Sequence, residues 1–388
     1  MDTTGTRHDG GRAEAPGPPP ARTQARTRSG AAPDAADAAP GAPADGGPPV
    51  TIRDVALASG VSKAAVSKAL NGRPGVSDTT RTRILATATR LGWRPNSTAA
   101  ALAHGRTRTV GMVLDRPPDL LSADPFFPEL LSGVERVLAP LGYTLTLRIS
   151  TPDSEQAEDE MYRSLAVEHR VAGVIMADPR CDDGRFALVR RLGLPAVLIS
   201  RPWAGADLPC VEERHPDSGI ADVVRHFAGL GHRRVGYVHG PHRLAHVSQR
   251  LSLFHSTARE AGLTVTALRQ ADFTAPSGAA ATADLLRQAD RPTAVFYDSD
   301  IMAIAGIQTL RAEGLSVPGD VSVAGHDDLP VSRWISPALT TVRQDVQGRG
   351  ERAARRLLHE LGEPLTPPDL MPDSTLVVRE STGTPPRA

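Results

Sequence analysis

The sequence predicts two fold classes in series: an all-α head of three short helices, then an α/β body of two lobes built on parallel strands. Three observations predict it. Between Val50 and Asn96, three short helical patterns are separated by turn signals. After Thr109, apolar strand-like runs alternate with amphipathic helical patterns. Charge is also segregated between these two parts, although the whole chain is neutral.

Of the first 50 residues, 29 are Ala, Gly or Pro, with almost no large hydrophobes, so 1–49 should stay disordered. The remaining length is enough for a head and two further cores within 388 residues. Two cysteines, Cys181 and Cys210, make neither a disulfide framework nor a four-thiolate zinc site, which suits a reducing compartment. No run of 18 apolar residues and no charged-then-apolar leader is present, so the expectation is a cytoplasmic protein without a membrane span.

In the head (50–95), Thr51 caps a first helix with Asp54 three residues on, and Ile52, Val55 and Ala56 form its apolar side. Ser59-Gly60-Val61 makes a tight turn. Ser62 caps a second helix ending near Asn71, with Val66, Ala69 and Leu70 inward. After the break at Gly72–Gly75, Ser77 caps a third helix through Leu91, with Ile84, Leu85 and Ala88 inward. Two helices joined by a short Gly-containing turn and braced by a third form a helix-turn-helix. Residues 96–108 form a linker in which Asn96-Ser97-Thr98 caps an alanine-rich helix. Leu102 is its one large apolar residue, so this helix should form only against a partner.

Residues 51–108 carry ten Lys/Arg against Asp54 and Asp78, whereas the last 280 residues hold 29 basic and 36 acidic groups. A basic block on a mildly acidic body points to a polyanion-binding module. In a helix-turn-helix the second helix enters the major groove, which here presents Lys63, Ala64 and Ala65, then Ser67 and Lys68. Lysine donates to guanine O6 and N7, and alanine contacts the thymine methyl. Lys63 and Lys68 are the only lysines in the chain. Thr51, Ser62, Asn71 and Asn96 belong to the same DNA-facing set, and Arg81 is expected to clamp a phosphate.

In the body (109–382), strand-like runs occur at Val110–Leu114, Tyr143–Ile149, Ala172–Met176, Ala196–Ile199, Arg234–His239, Thr293–Tyr297, Val321–Gly325 and Leu339–Arg343. Helical patterns such as Glu129–Leu138, Asp217–Leu230 and Ile301–Glu313 lie between them. That is more doubly wound structure than one sheet takes, hence two lobes with a cleft. Residues 383–388 read as a tail. The sequence carries no nucleophile elbow, phosphate-binding loop, dinucleotide fingerprint or zinc-protease motif, so no enzyme, cofactor or metal is expected. The histidines of His239–His246 lack a local Cys or carboxylate and do not make a metal site by spacing. An alternative of a different class is a sugar-binding or sugar-modifying protein with a nonspecific basic anchor.

Thr51-Ile52-Arg53-Asp54-Val55-Ala56, Gly60-Val61-Ser62-Lys63-Ala64-Ala65-Val66-Ser67-Lys68-Ala69-Leu70-Asn71 and Leu91-Gly92-Trp93-Arg94-Pro95-Asn96 resemble the DNA-binding head of the lactose-repressor family. The resemblance runs over roughly 50–382. It implies a homodimeric transcription regulator, a repressor, whose paired heads read a palindromic operator. It assigns base-reading roles to Lys63, Ala64 and Lys68, and makes Leu102 a hinge-helix wedge between base pairs. The chain ends in Thr384–Ala388 without a heptad helix, so a dimer is expected.

The resemblance also implies a periplasmic-binding-protein-like effector domain with three crossovers and a small ligand, a sugar, in its cleft. Ligands in such sheets bind beyond the carboxyl ends of strands, which nominates Asp115, Phe126, Ser200, Arg201, Ser299, Asp300 and Asp327. Arg250 matches the family's ligand-binding arginine, and Phe273 an aromatic that stacks on the ligand. His246 joins the set, and with Leu244 it departs from the purine-binding branch, which favours a carbohydrate. Ser200 stands where sugar-binding relatives are often acidic, and His326 where an aromatic is usual.

Overall fold

The computed structural model describes residues 50–70, 74–93, 107–116, 124–150, 155–203, 207–211 and 213–387. The N-terminal tail, most of the hinge segment, and Asn71, Asn96 and Leu102 lie outside them.

The head holds α1 (Ile52–Ser59), α2 (Lys63–Leu70) and α3 (Asp78–Arg90). Each starts at a side-chain oxygen. The Asp54 carboxylate accepts from the Thr51 amide at 2.8 Å, which holds its pKa below the usual range. Ser62 Oγ accepts from the Ala65 amide and Ser77 Oγ from the Thr80 amide. These bonds satisfy donors that a helix N-terminus leaves open. Val55, Ala56, Val66, Ala69, Ile84 and Ala88 close into a small core. Leu85, expected inward, is 45% exposed. It directly follows the fully buried Ile84, and the next helical step carries it off the core face.

The body begins with a four-stranded parallel sheet ordered β2-β1-β3-β4. Its strands are β1 (Thr109–Asp115), β2 (Thr144–Ser150), β3 (Gly173–Met176) and β4 (Ala196–Leu198). Helices α4 (Phe126–Leu138), α5 (Glu155–Val167) and α6 (Gly184–Arg191) connect them. The second lobe holds α7 (Ser218–Gly229), β5 (Arg234–His239), α8 (Ala245–Glu260), β6 (Thr264–Gln270), α9 (Ala275–Leu286), β7 (Ala294–Tyr297), α10 (Asp300–Ala312), β8 (Ser322–Asp327), β9 (Thr340–Arg343) and β10 (Thr375–Val377). Its sheet order is β10-β9-β8-β7-β5-β6, parallel except for the antiparallel edge pair β10–β9.

Between β9 and β10 the chain returns to the first lobe as α11 (Val346–Glu360), whose Val346, Ala353, Ala354, Leu357 and Leu358 join the core of α4 and β1. The chain therefore passes between lobes three times: after β4, after β9, and between Met371 and β10. Helices α4 and α11 touch backbone to backbone. A Cβ on Gly133 would sit 2.0 Å from Gln347 O, and one on Gly350 would sit 2.2 Å from Leu130 O. Only glycine permits that approach. β6 and β10 were not expected from the sequence. Both are edge strands with largely half-buried or exposed side chains, so neither leaves a continuous apolar run.

Candidate functional site

A cavity of about 470 Å³ lies at the carboxyl ends of both sheets. In each sheet the strand order reverses beside the first strand of the lobe, β1 or β5, which is where open α/β sheets place ligands. Residues just past β1, β3, β4, β7 and β9 line it, among them Arg116, Asp178, Ser200, Asp298 and Gln344, together with Asp327 at the end of β8. α8 adds His246, Gln249 and Arg250.

Three arginines organise the wall. Arg250 Nε bonds Asp217 Oδ1 at 3.0 Å, and its Nη1 lies 3.3 Å from Asp298 Oδ1. Tyr237 Oη and the Gly240 amide also donate to Asp298. Burial opposes ionisation of Asp298, yet the Arg250 guanidinium and the Gly240 amide bond, acting with the other groups around it, together hold the carboxyl below its usual range. Arg349 spans the crossovers, donating to Ile199 O at 3.0 Å and to Glu213. Arg116 Nε bonds Asp178 Oδ2 at 2.8 Å. Burial raises Asp178, but Arg116 prevails and brings it to about 2.

Arg116 also stands 4.8 Å from the Phe273 ring centroid and 5.8 Å from that of Phe127. The Phe273 ring rests on Gly240, where a Cβ would come within 2.1 Å of Cζ. His246 lies near-parallel to it at 6.2 Å. Burial pushes His246 down to about 4, with Arg250 adding to it, so the imidazole is neutral at physiological pH.

Four cavity residues hold left-handed backbone: Asp178 (φ 49°), Asp217 (φ 56°), Phe273 (φ 70°) and Asp327 (φ 111°). Non-glycine residues adopt this region at a cost of roughly 1–3 kcal/mol each, and such strain concentrates at functional sites. Here it turns three carboxyls and a ring toward one space.

Of the residues nominated for the effector, Phe126, Ser200, Arg201, His246, Arg250, Phe273, Ser299 and Asp327 line this cavity. Asp300 does not. It is fully buried, accepting from Leu329 N, Ser332 Oγ and Thr341 Oγ1, and it fastens α10 to the loop after β8 and to β9. Asp115 does not line it either, because Ser150, Arg180 and Arg243 occupy its carboxylate. Ser299, by contrast, combines two roles: it caps α10 through Met302 N and lines the cavity. Arg116, Asp124, Asp178, Glu213, Arg214, Asp217, Gln249, Asp298, Gln344 and Arg349 also line the cavity and are not among the residues the sequence nominates. Arg116 and Asp298 directly follow strands, the signal that found Ser200. Arg349 sits on a helix and gives no such signal.

In the head, α2 exposes Lys63, Ala64 and Lys68 on one side and buries Val66 and Ala69 on the other. Ala65 and Ser67 are half-buried, and the caps Thr51 and Ser62 are exposed. Arg81 Nη1 donates to Ala69 O at 2.9 Å, closing the last turn of α2. Among the described residues no group of His, Cys, Asp and Glu is arranged to hold a metal, and no helix is long and apolar enough to cross a membrane.

Residues 51–96 match the model for bacterial regulatory proteins of the lacI family, and 224–382 match a periplasmic binding protein-like domain. The chain is 36% identical to the HTH-type transcriptional regulator MalR of Streptomyces coelicolor, over 86% of this chain and 97% of that one. The protein belongs to the lacI family. Two solved structures show how far this lacI-family likeness extends. The lac repressor dimer bound to operator and the anti-inducer ONPF has a TM-score of 0.75 at 28% identity, covering 87% of this chain and 100% of that one. The transcriptional regulator CelR in complex with cellobiose has a TM-score of 0.64 at 30% identity, covering 86% and 99%.

Proposed function

We propose that the protein is a homodimeric, sequence-specific transcription regulator, a repressor, acting in the cytoplasm on a palindromic operator. Its grip on DNA is set by a sugar held in the body's cavity, and it catalyses no reaction. The observation that supports this most is the coexistence, in one lacI-family chain, of a recognition helix with Lys63, Ala64 and Lys68 exposed and a 470 Å³ cavity lined by carboxylates, guanidiniums and aromatic rings. Vicinal hydroxyls donate to carboxylates and accept from guanidiniums, so the wall suits a polyol. The likeness to a CelR–cellobiose complex supports the same ligand class.

The domain limits follow from this reading: a tail at 1–49, a head at 50–95, a hinge at 96–108, an effector domain at 109–382 and a short tail at 383–388. Asn71, Asn96 and Leu102 keep their proposed DNA contacts, with Leu102 as the minor-groove wedge. A ligand shifts DNA affinity only through unequal affinity for the two states of the body, typically about 1–3 kcal/mol. The test is thermal stabilisation of the full chain by a panel of neutral sugars, followed by operator release with any that bind. Stabilisation without any change in DNA affinity would contradict the coupling.

A further inference from the structure

Asp124 and Asp327 are left without a cation in a cavity where the other carboxylates have one. Arg116 holds Asp178, Arg250 holds Asp217 and Asp298, and Arg349 holds Glu213. Among the described residues no guanidinium or ammonium group pairs with Asp124 or Asp327. Asp124 is 6% exposed as a whole residue, and the Asp327 side chain is 8% exposed.

Each has one oxygen engaged by neutral partners. Asp124 Oδ1 accepts from the Phe126 amide at 3.0 Å. Asp327 Oδ1 accepts from Gln344 Nε2 at 2.6 Å and faces His326 Nδ1 at 2.9 Å. His326 is itself neutral, its pKa pushed by burial to about 3. The Oδ2 atoms of both carboxyls receive no bond from any described residue, and both residues line the cavity.

A desolvated carboxylate without a cation takes up a proton. Burial, then the charge of Asp327, raises Asp124 to about 6. Burial raises Asp327 to about 7 although Arg250 pulls the other way. The other charges acting on the pair are Arg116 and Asp178 on Asp124, and Asp298 and Glu129 on Asp327. Near neutrality the pair shares protons where its neighbours have arginines.

A ligand hydroxyl would bring one donor and no charge. A primary ammonium brings three donors and the positive charge that lets both carboxyls ionise, and charge-assisted bonds are roughly twice as strong as neutral ones. A divalent cation fits poorly, since calcium takes about six to eight oxygens and this pair offers two free ones.

We propose that the effector is an amino sugar whose primary ammonium lies between Asp124 and Asp327. The proposal rests on the sugar reading and narrows it to a cationic ligand.

The test titrates the full chain calorimetrically with three disaccharides of one skeleton: cellobiose, the β-1,4-linked glucosamine dimer and its N-acetylated form. Glucosamine, N-acetylglucosamine and glucose form a second such set. At neutral pH the amine of either set should bind at least about tenfold tighter than its hydroxyl and acetyl counterparts. That preference should disappear in Asp124→Asn, whose melting curve reports whether the fold is kept. Should that variant not fold, the wild-type chain still decides. Amine affinity should rise from pH 6 to 7 as the pair loses its protons, with proton release seen in buffers of different ionisation heat, while acetylated sugars show neither. Hydroxyl or acetyl forms binding as well as the amines would overturn the proposal and leave the sugar reading standing. If no sugar of either set binds, the proposal is overturned, and the panel of neutral sugars decides the sugar reading.

Discussion

Arg180 and Leu244 pair as an antiparallel bridge that ties the first lobe to the second beside the cavity residues Asp178 and His246. Cys181 N donates to Arg243 O at 2.9 Å, and Ala245 N to Pro179 O at 2.7 Å. Arg180 is anchored within its own lobe by Asp115 at 2.9 Å and Glu158 at 2.6 Å, and Asp115 also meets Arg243 of the second lobe at 3.6 Å. The clasp thus joins the segment after β3 to the start of α8, and both supply cavity side chains.

Cys181 stands opposite Arg243 in this register, bonded through Cys181 N to Arg243 O, and residues facing each other in an antiparallel pair lie about 4.5–5.5 Å apart at Cα, within the range a disulfide spans. Arg243→Cys should cross-link to Cys181 on mild oxidation, observed as loss of free thiol and a mobility shift. In the oxidised form, DNA affinity should no longer respond to effector, and reduction should restore the response. A cross-linked protein that still responds fully would show that the lobes need not part here.

The head separates base reading from helix support. Lys63→Ala should change which operator bases are selected without unfolding the head, measured by binding to a library of single-base variants. Arg81→Ala should instead lower head stability by about 1 kcal/mol, because it removes the bond to Ala69 O at the end of α2. A selectivity change from Arg81→Ala with no loss of stability would reverse this assignment.

Arg250 and Asp327 should part company in the same way. Removing the Arg250 guanidinium leaves Asp217 and Asp298 buried without their cation, so Arg250→Ala should cost roughly 3–5 kcal/mol in denaturant unfolding. Asp327→Asn removes a carboxyl that has no cation, so the fold should persist while effector affinity falls at least about tenfold. Equal stability of both variants would refute the pairing described for Arg250.

Gly240 supports the Phe273 ring, and Gly240→Ala would drive a Cβ to within 2.1 Å of it. The ring must move, at a cost of about 1–3 kcal/mol for overpacking. We expect weaker effector binding with DNA affinity retained, measured by titration of each ligand.

Asp300 predicts a pH dependence. Burial, then the charge of Asp327, raises its carboxyl from 3.8 to about 8. The folded state therefore holds a proton that the unfolded state releases, so this contribution is greatest at low pH and is lost as pH rises from 3.8 through 8. The thermal midpoint should fall between pH 6 and 9, and Asp300→Asn should flatten that slope. An unchanged slope in the variant would place the pH sensitivity elsewhere.

Much of this architecture was legible because parallel strands buried on both faces leave apolar runs, and because Thr51, Ser62 and Ser77 mark helix starts by chemistry local to the chain. The edge strands β6 and β10 lacked that pattern. In the cavity, position after a strand found Ser200 and Asp327 but could not distinguish Asp300 from Ser299, neighbours that point to different partners. Nor could it foresee that Arg180 and Arg243 would claim Asp115. Arg349 and Glu213 meet only because the chain crosses between lobes, a long-range event with no local mark. Nothing local to Arg81 marks that its Nη1 also donates to a carbonyl twelve residues back.

The central claim is that α2 reads a particular DNA sequence under control of the body's cavity. Selection by the full chain from a random duplex pool, repeated with bound sugar present, tests it most directly. The account predicts enrichment of one palindrome whose retention changes when the sugar is added. Uniform recovery of all sequences under both conditions would contradict it.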